Sequence, residues 1–322
     1  MKDAWVEIIR PDGNAGLTAV YRTTPVIGGN GRPHSHILTA FGASSPVDHI
    51  SSGQGTTWLA RNMVLKPLDM TAEQLYWQAE ILKPLIDTGE ALLLRLAAPF
   101  PAKDGSLIVD GWTAWDRLDG TSEHIERWDD IIAAGNRLCE LTQHIQRPPF
   151  LDARQDPWAV ADRIAWGEQS AESVMHVRFV PTLLEALASR LPVHELSQLI
   201  HGDLTGNVLF SPDKAPAVID ISPYWRPPSY ATAVVLVDAL TWEDAPLDWA
   251  RGYLVNMVQL QAFIRALLFR ILSDHLRNPT EPIFIGYERS VELVYQRLAT
   301  SSGLVDTAPR ACSSCRTKQL LE

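Results

Sequence analysis

The sequence predicts an α+β chain of two lobes, a small antiparallel sheet with one packed helix ahead of a larger, mainly helical part. Three observations carry this. The 322 residues exceed the usual size of one compact domain. Residues 48–116 alternate short apolar runs with turn residues around a single helical pattern, which suits a small antiparallel sheet. Beyond the polar turn Asp116–Thr121, apolar residues recur at helical spacing almost to the end.

Taken in order, residues 1–35 are rich in Gly, Pro, Asn and Thr and read as an N-terminal extension, with short strands at Val6–Ile9 and Leu17–Tyr21. The small lobe spans 36–116. A short helix over His36–Phe41 ends at Gly42. His49–Leu59 reads as strand, glycine turn, strand, and Met63–Pro67 as an apolar strand carrying Lys66. A helix follows over Thr71–Ile86, with Thr71 as N-cap and Glu73 and Gln74 in its first turn. Strands are expected at Leu92–Leu96 and Ser106–Trp115, separated by a turn at Pro99–Gly105. The helical lobe spans 117–299, with helices over Trp128–Ile145, Pro157–Trp166, Val180–Leu191, Ala231–Leu240, Ala250–Leu272 and Ile285–Ala299. Residues 300–322 are polar and small and read as a flexible tail.

Composition narrows the function classes. A formal net charge of −10 lacks the basic face that nucleic-acid binding requires. No basic start followed by an apolar run marks a signal peptide, and the most apolar stretch, Leu254–Leu272, is interrupted by Arg265 and Arg270. A cytoplasmic protein with no membrane partner is expected. Cys139, Cys312 and Cys315 do not form a disulfide framework, and Cys312-Ser313-Ser314-Cys315 lacks the second pair that a zinc site would need.

The chemistry concentrates in His201-Gly202-Asp203-Leu204-Thr205-Gly206-Asn207, followed by Val208–Phe210 and Ala217–Asp220. The two apolar runs read as strands of a hairpin turning at Ser211–Lys214, which brings Asn207 and Asp220 to one end. An amide oxygen and a carboxylate placed so can hold magnesium on nucleotide phosphates, while Asp203 orients or deprotonates a hydroxyl. The competing reading is a plain turn, since Asp, Gly and Asn are the commonest turn residues. Upstream, Ser51–Thr57 includes Gly53, Gln54, Gly55 and Thr56, a loop whose backbone N–H groups can cradle phosphates. Lys66 either faces something specific or snorkels to solvent.

His-Gly-Asp at 201–203, Asn207 shortly after it and Val218-Ile219-Asp220 at a strand end resemble the aminoglycoside phosphotransferase family of the protein-kinase-like superfamily. Within that family the chain looks most like a group found in actinobacteria. The resemblance runs from about Ile37 to about Ala299 and implies a two-lobed kinase-like fold and an ATP- and Mg2+-dependent phosphotransferase acting on a small-molecule hydroxyl. It implies that Asp203 is catalytic, that Asn207 and Asp220 hold the metal, and that Gly53–Thr56 and Lys66 bind the phosphates. It also implies that Glu80 pairs with Lys66, although Gln78 occupies the position the pattern favours, and that Trp112–Asp116, with Ala114 and Trp115, lies beside adenine. His201 becomes structural, tying the loop to neighbouring backbone. Two departures stand out. Asn207 is four residues after Asp203 where most relatives have five, and the usual glycine after Asp220 is absent. They motivate the alternative of a nucleotide-binding pseudokinase-like scaffold. A third reading is nucleotidyl transfer. Tyr224, Trp225 and Arg226 either contact substrate or pack their segment on the helical lobe.

Overall fold

The computed structural model describes residues 7–9, 15–17, 31–44, 47–50, 57–87, 93–123, 126–189, 195–280 and 286–300. It divides into two compact units, residues 1–119 and 120–322. The glycine loop residues Gly53, Gln54, Gly55 and Thr56 lie outside the described residues, as do Cys312, Cys315 and the rest of the tail.

In the first unit, β1 (Glu7–Ile9) and β2 (Ala15–Leu17) pair antiparallel within the N-terminal extension. Helix α1 (Ser35–Phe41) precedes β3 (Asp48–Ile50), β4 (Thr57–Leu59) and β5 (Met63–Pro67). Helix α2 (Ala72–Asp87) starts where Thr71 accepts a hydrogen bond from the Gln74 N–H at 3.1 Å, the expected N-cap. Next come the two-residue strand β6 (Arg95–Leu96) and β7 (Trp112–Asp116). The sheet runs β3-β4-β5-β7, antiparallel throughout, with Leu65 opposite Ala114 and Lys66 opposite Thr113.

The strand period of two sorts this sheet onto two cores. Met63, Leu65, Trp112 and Ala114 pack with Ile37 and Phe41 of α1. Val64 and Trp115 pack on the other side with Leu75 and Ala79 of α2. The expected strand over Ser106–Trp115 is only half realised. Asp110 and Gly111 take φ of 45° and 77°, and a bridge joins Val109 to Trp112, so the chain reverses there. Asp-Gly is the sequence signature of such a turn.

The second unit is helical around a small β framework. It contains α3 (Trp128–Thr142), α4 (Phe150–Ala153), α5 (Pro157–Ala165) and α6 (Val180–Ala188). Strands β8 (Gln198–His201), β9 (Val208–Ser211), β10 (Lys214–Val218) and β11 (Pro223–Arg226) follow. Helices α7 (Pro228–Trp242), α8 (Leu247–Tyr253), α9 (Met257–Arg277) and α10 (Glu288–Ala299) complete it. The single helix expected over Ala250–Leu272 is two, because Asn256 takes an extended conformation and its side chain caps α9 by accepting from the Gln259 N–H at 3.1 Å. Helix α7 is buried nearly all round and packs with α9, which also packs on α5. No helix among the described residues is long and apolar enough to cross a membrane.

Candidate active site

Strand β8 delivers His201 to the start of a tight loop. The ring of His201 is buried and closes that loop from inside. Its Nδ1 accepts the Asp203 N–H at 3.0 Å, so Nε2 carries the proton and donates to the Ile219 carbonyl at 3.2 Å. Burial holds its pKa below the ordinary imidazole value, against the pull of the Asp203 charge. A neutral imidazole thus bridges the loop to the end of β10.

The loop itself is one turn. The Asn207 N–H donates to the Leu204 carbonyl at 2.9 Å, with Gly206 at φ 80° in the third position, a conformation glycine takes without strain. The spacing of four between Asp203 and Asn207 is accommodated by this closure. Asn207 Nδ2 donates to the Asp203 carbonyl at 2.7 Å, and its Oδ1 is the acceptor atom of the same amide.

Strands β9 and β10 form the expected hairpin. Ser211 faces Lys214 at the turn, a bulge lies between Lys214 and Ala217, and Val208 then faces Val218. The ladder extends one step further, where the Ile219 N–H donates to the Asn207 carbonyl at 3.0 Å. Asp220 comes next, exposed and at φ 48°. Asn207 and Asp220 therefore sit at the same end of one hairpin. Two hard oxygen donors at a strand end fit a magnesium ion that completes its shell with water and phosphate oxygens.

Asp203 is held from a second direction. Arg270 of α9 donates from Nη2 to Asp203 Oδ1 at 2.8 Å, and grips Asp238 of α7 through Nε and Nη2 at 2.7 and 2.5 Å. Burial alone would lower the Arg270 pKa, but the charges of Asp238 and Asp203 raise it well above the ordinary value. Neither Arg270 nor Asp238 was legible as a site residue. The one signal was an arginine inside an apolar helical pattern.

The segment after Asp220 is a strand. Pro223 faces His201 and Arg226 faces Gln198, while the Gly202 N–H donates to the Ser222 carbonyl at 2.9 Å. Tyr224 and Arg226 are buried and pack the segment on the helical unit. Arg226 forks onto Asp162 and Glu168, and Tyr224 lies under Arg154 and edge-on to Phe269. Trp225 is half-buried.

In the first unit, Lys66 and Trp115 share the α2 side of the sheet. Lys66 Nζ lies 5.2 Å from the Trp115 ring centroid and 3.2 Å from Asp69 Oδ2. Helix α2 turns Leu75, Gln78, Leu82 and Leu85 inward and leaves Glu80 exposed. Two residues are about 200° of helical rotation, so Glu80 and Gln78 occupy opposite faces, and the inward position is Gln78. Ala114 is buried within β7. Its carbonyl accepts the Phe100 N–H at 2.7 Å, and the Asp116 N–H donates to the Ala98 carbonyl at 3.0 Å. Strand β7 is thus bonded on both edges, and the Ala114 carbonyl is engaged by the Phe100 N–H.

Comparisons with known proteins give the family and the fold. A family model described as the phosphotransferase enzyme family matches residues 42–222. The chain is similar to a microcompartment-associated aminopropanol kinase, with 16% identity, coverage of 84% of this chain and 98% of that one, and a TM-score of 0.51. It is also similar to aminoglycoside phosphotransferase APH(4)-Ia, with 14% identity, coverage of 81% and 96%, and a TM-score of 0.52. A third structure, an aminoglycoside phosphotransferase from Alicyclobacillus acidocaldarius, has 14% identity, coverage of 76% and 88%, and a TM-score of 0.50. At these identities the likeness is one of fold, the two-lobed kinase-like fold. No curated protein matches the chain at a significant level.

Proposed function

The chain belongs to the phosphotransferase enzyme family, and from that premise we propose that it moves the γ-phosphoryl group of ATP to a hydroxyl of a small molecule. The observation that carries this reading is the turn that sets Asp203, Asn207 and Asp220 around the end of one hairpin. Asp203 orients the acceptor hydroxyl and takes its proton. Asn207 and Asp220 hold magnesium, which neutralises phosphate charge when bound. Lys66, beside Trp115, and Gly53, Gln54, Gly55 and Thr56 are the residues assigned to the phosphates in this reading. Catalysis is then mainly positioning and charge neutralisation. The similar structures act on amino-alcohol and aminoglycoside hydroxyls, which makes those compounds the first acceptors to test. The narrower resemblance to an actinobacterial group rests on the sequence motifs alone. A cytoplasmic site of action follows from the same reading.

The first test is the melting temperature of the full chain with and without Mg-ATP. A rise that requires magnesium and is lost in Asp220→Ala supports the nucleotide site through binding linkage, worth about 2.7 kcal/mol at a hundredfold excess over Kd. It leads directly to assaying ADP release with amino-alcohol acceptors, where mass spectrometry of the product separates phosphoryl from nucleotidyl transfer. No shift at millimolar Mg-ATP overturns the reading. A shift without turnover on any acceptor, water included, favours the scaffold alternative.

A further inference from the structure

Arg270 lies among Leu267, Leu268, Phe269, Ile271 and Leu272, all buried on α9. A charged side chain there needs partners, and it has two. The fork formed by Nε and Nη2 grips both oxygens of Asp238, which is only 4% exposed. The same Nη2 directs a second bond to Oδ1 of Asp203. One guanidinium therefore joins the two central helices of the unit, α7 and α9, to the loop carboxylate. Its planar geometry fixes the direction of both bonds, which the point charge of a lysine does not.

We propose that Arg270, held by Asp238, is the positioning residue for Asp203. It engages Oδ1 and so sets the rotamer of the carboxylate. Oδ2, on the Asn207 side at 3.5 Å from its Nδ2, is the oxygen that accepts the hydroxyl proton. The inference rests on Asp203 being the base. A purely structural ion pair would change stability and leave turnover per folded molecule alone, so the rate constants separate the two roles.

The test uses the full chain and follows ADP release from Mg-ATP with water as acceptor. Arg270→Met alone leaves Asp238 buried and unpaired, so the decisive variant is Arg270→Met/Asp238→Asn, which removes both charges together. Its kcat is expected to fall about 10- to 100-fold with KM for ATP within about twofold of wild type, and Arg270→Lys to recover part of the loss. Wild-type kcat in the double variant, with turnover lost in Asp203→Asn, overturns the inference and leaves the functional reading standing. Wild-type turnover in Asp203→Asn overturns both. A crystal structure of the double variant decides without turnover. An Asp203 carboxylate that has rotated away supports the role, and one that keeps its place overturns it.

Discussion

At the scale of the residue, His201 shows how one buried ring ties a loop to a strand end. Both ring nitrogens are committed to backbone, one accepting and one donating, which requires the neutral form. Its pKa in the fold is depressed below 6.5 by burial. The unfolded chain binds a proton below that value which the folded chain refuses. His201 therefore contributes stability above pH 6.5 that is lost as the pH falls through the folded value. The urea midpoint is expected to drop between about pH 7.5 and about pH 5.5, and His201→Asn to remove that share of the drop. An equal pH dependence in the variant would assign the effect elsewhere. Asp203, Asn207 and Asp220 were readable in the sequence because a tight loop and a hairpin keep them close along the chain. Arg270 was not, because it reaches Asp203 across 67 positions and Asp238 across 32.

At the scale of the element, β11 packs Tyr224 and Arg226 into the helical unit. Its closeness to the loop leaves no room at Gly202. A Cβ there would lie 2.4 Å from Cδ2 of the buried Tyr224 ring. Gly202→Ala is expected to cost about 1–3 kcal/mol in denaturant unfolding, as overpacking of a core does. Tyr224→Leu removes the ring, so the double variant should show the two costs falling short of additivity. Additive costs would mean that the ring does not set the glycine. The elements themselves were largely legible, since β5, the start of α2 and the β9–β10 hairpin follow apolar period, capping and turn chemistry. The misreadings share a cause. Asp110-Gly111 and Asn256 act locally, by turning or capping, inside runs whose hydrophobic pattern continues across them.

At the scale of the whole molecule, the sequence divided the chain near Asp116–Thr121, and the contacts divide it between Asp119 and Gly120. The second unit has its own probe in Cys139, 4% exposed on α3, whose thiol burial pushes up to about 12. Only a thiolate attacks alkylating reagents readily, so Cys139 should resist iodoacetamide in native buffer. It should become reactive in step with the loss of tryptophan fluorescence in denaturant. Labelling of the Cys139 peptide at the rate of a free thiol in native buffer would show α3 opening apart from the rest. The family pattern favours position 78 as the partner of Lys66, and helix phase likewise turns Gln78 inward and leaves Glu80 outside. Which small molecule is phosphorylated was never a matter of motif, because acceptor recognition draws on side chains scattered along the chain.

The clamp of Arg270 on two buried helices also bears on inheritance. The carboxylate of Asp203 is tied to the interior, where substitutions are purged for their effect on folding. A substitution that loosens Arg270 or Asp238 therefore weakens the fold and the hold on Asp203 together, so the place of that carboxylate is inherited with the fold.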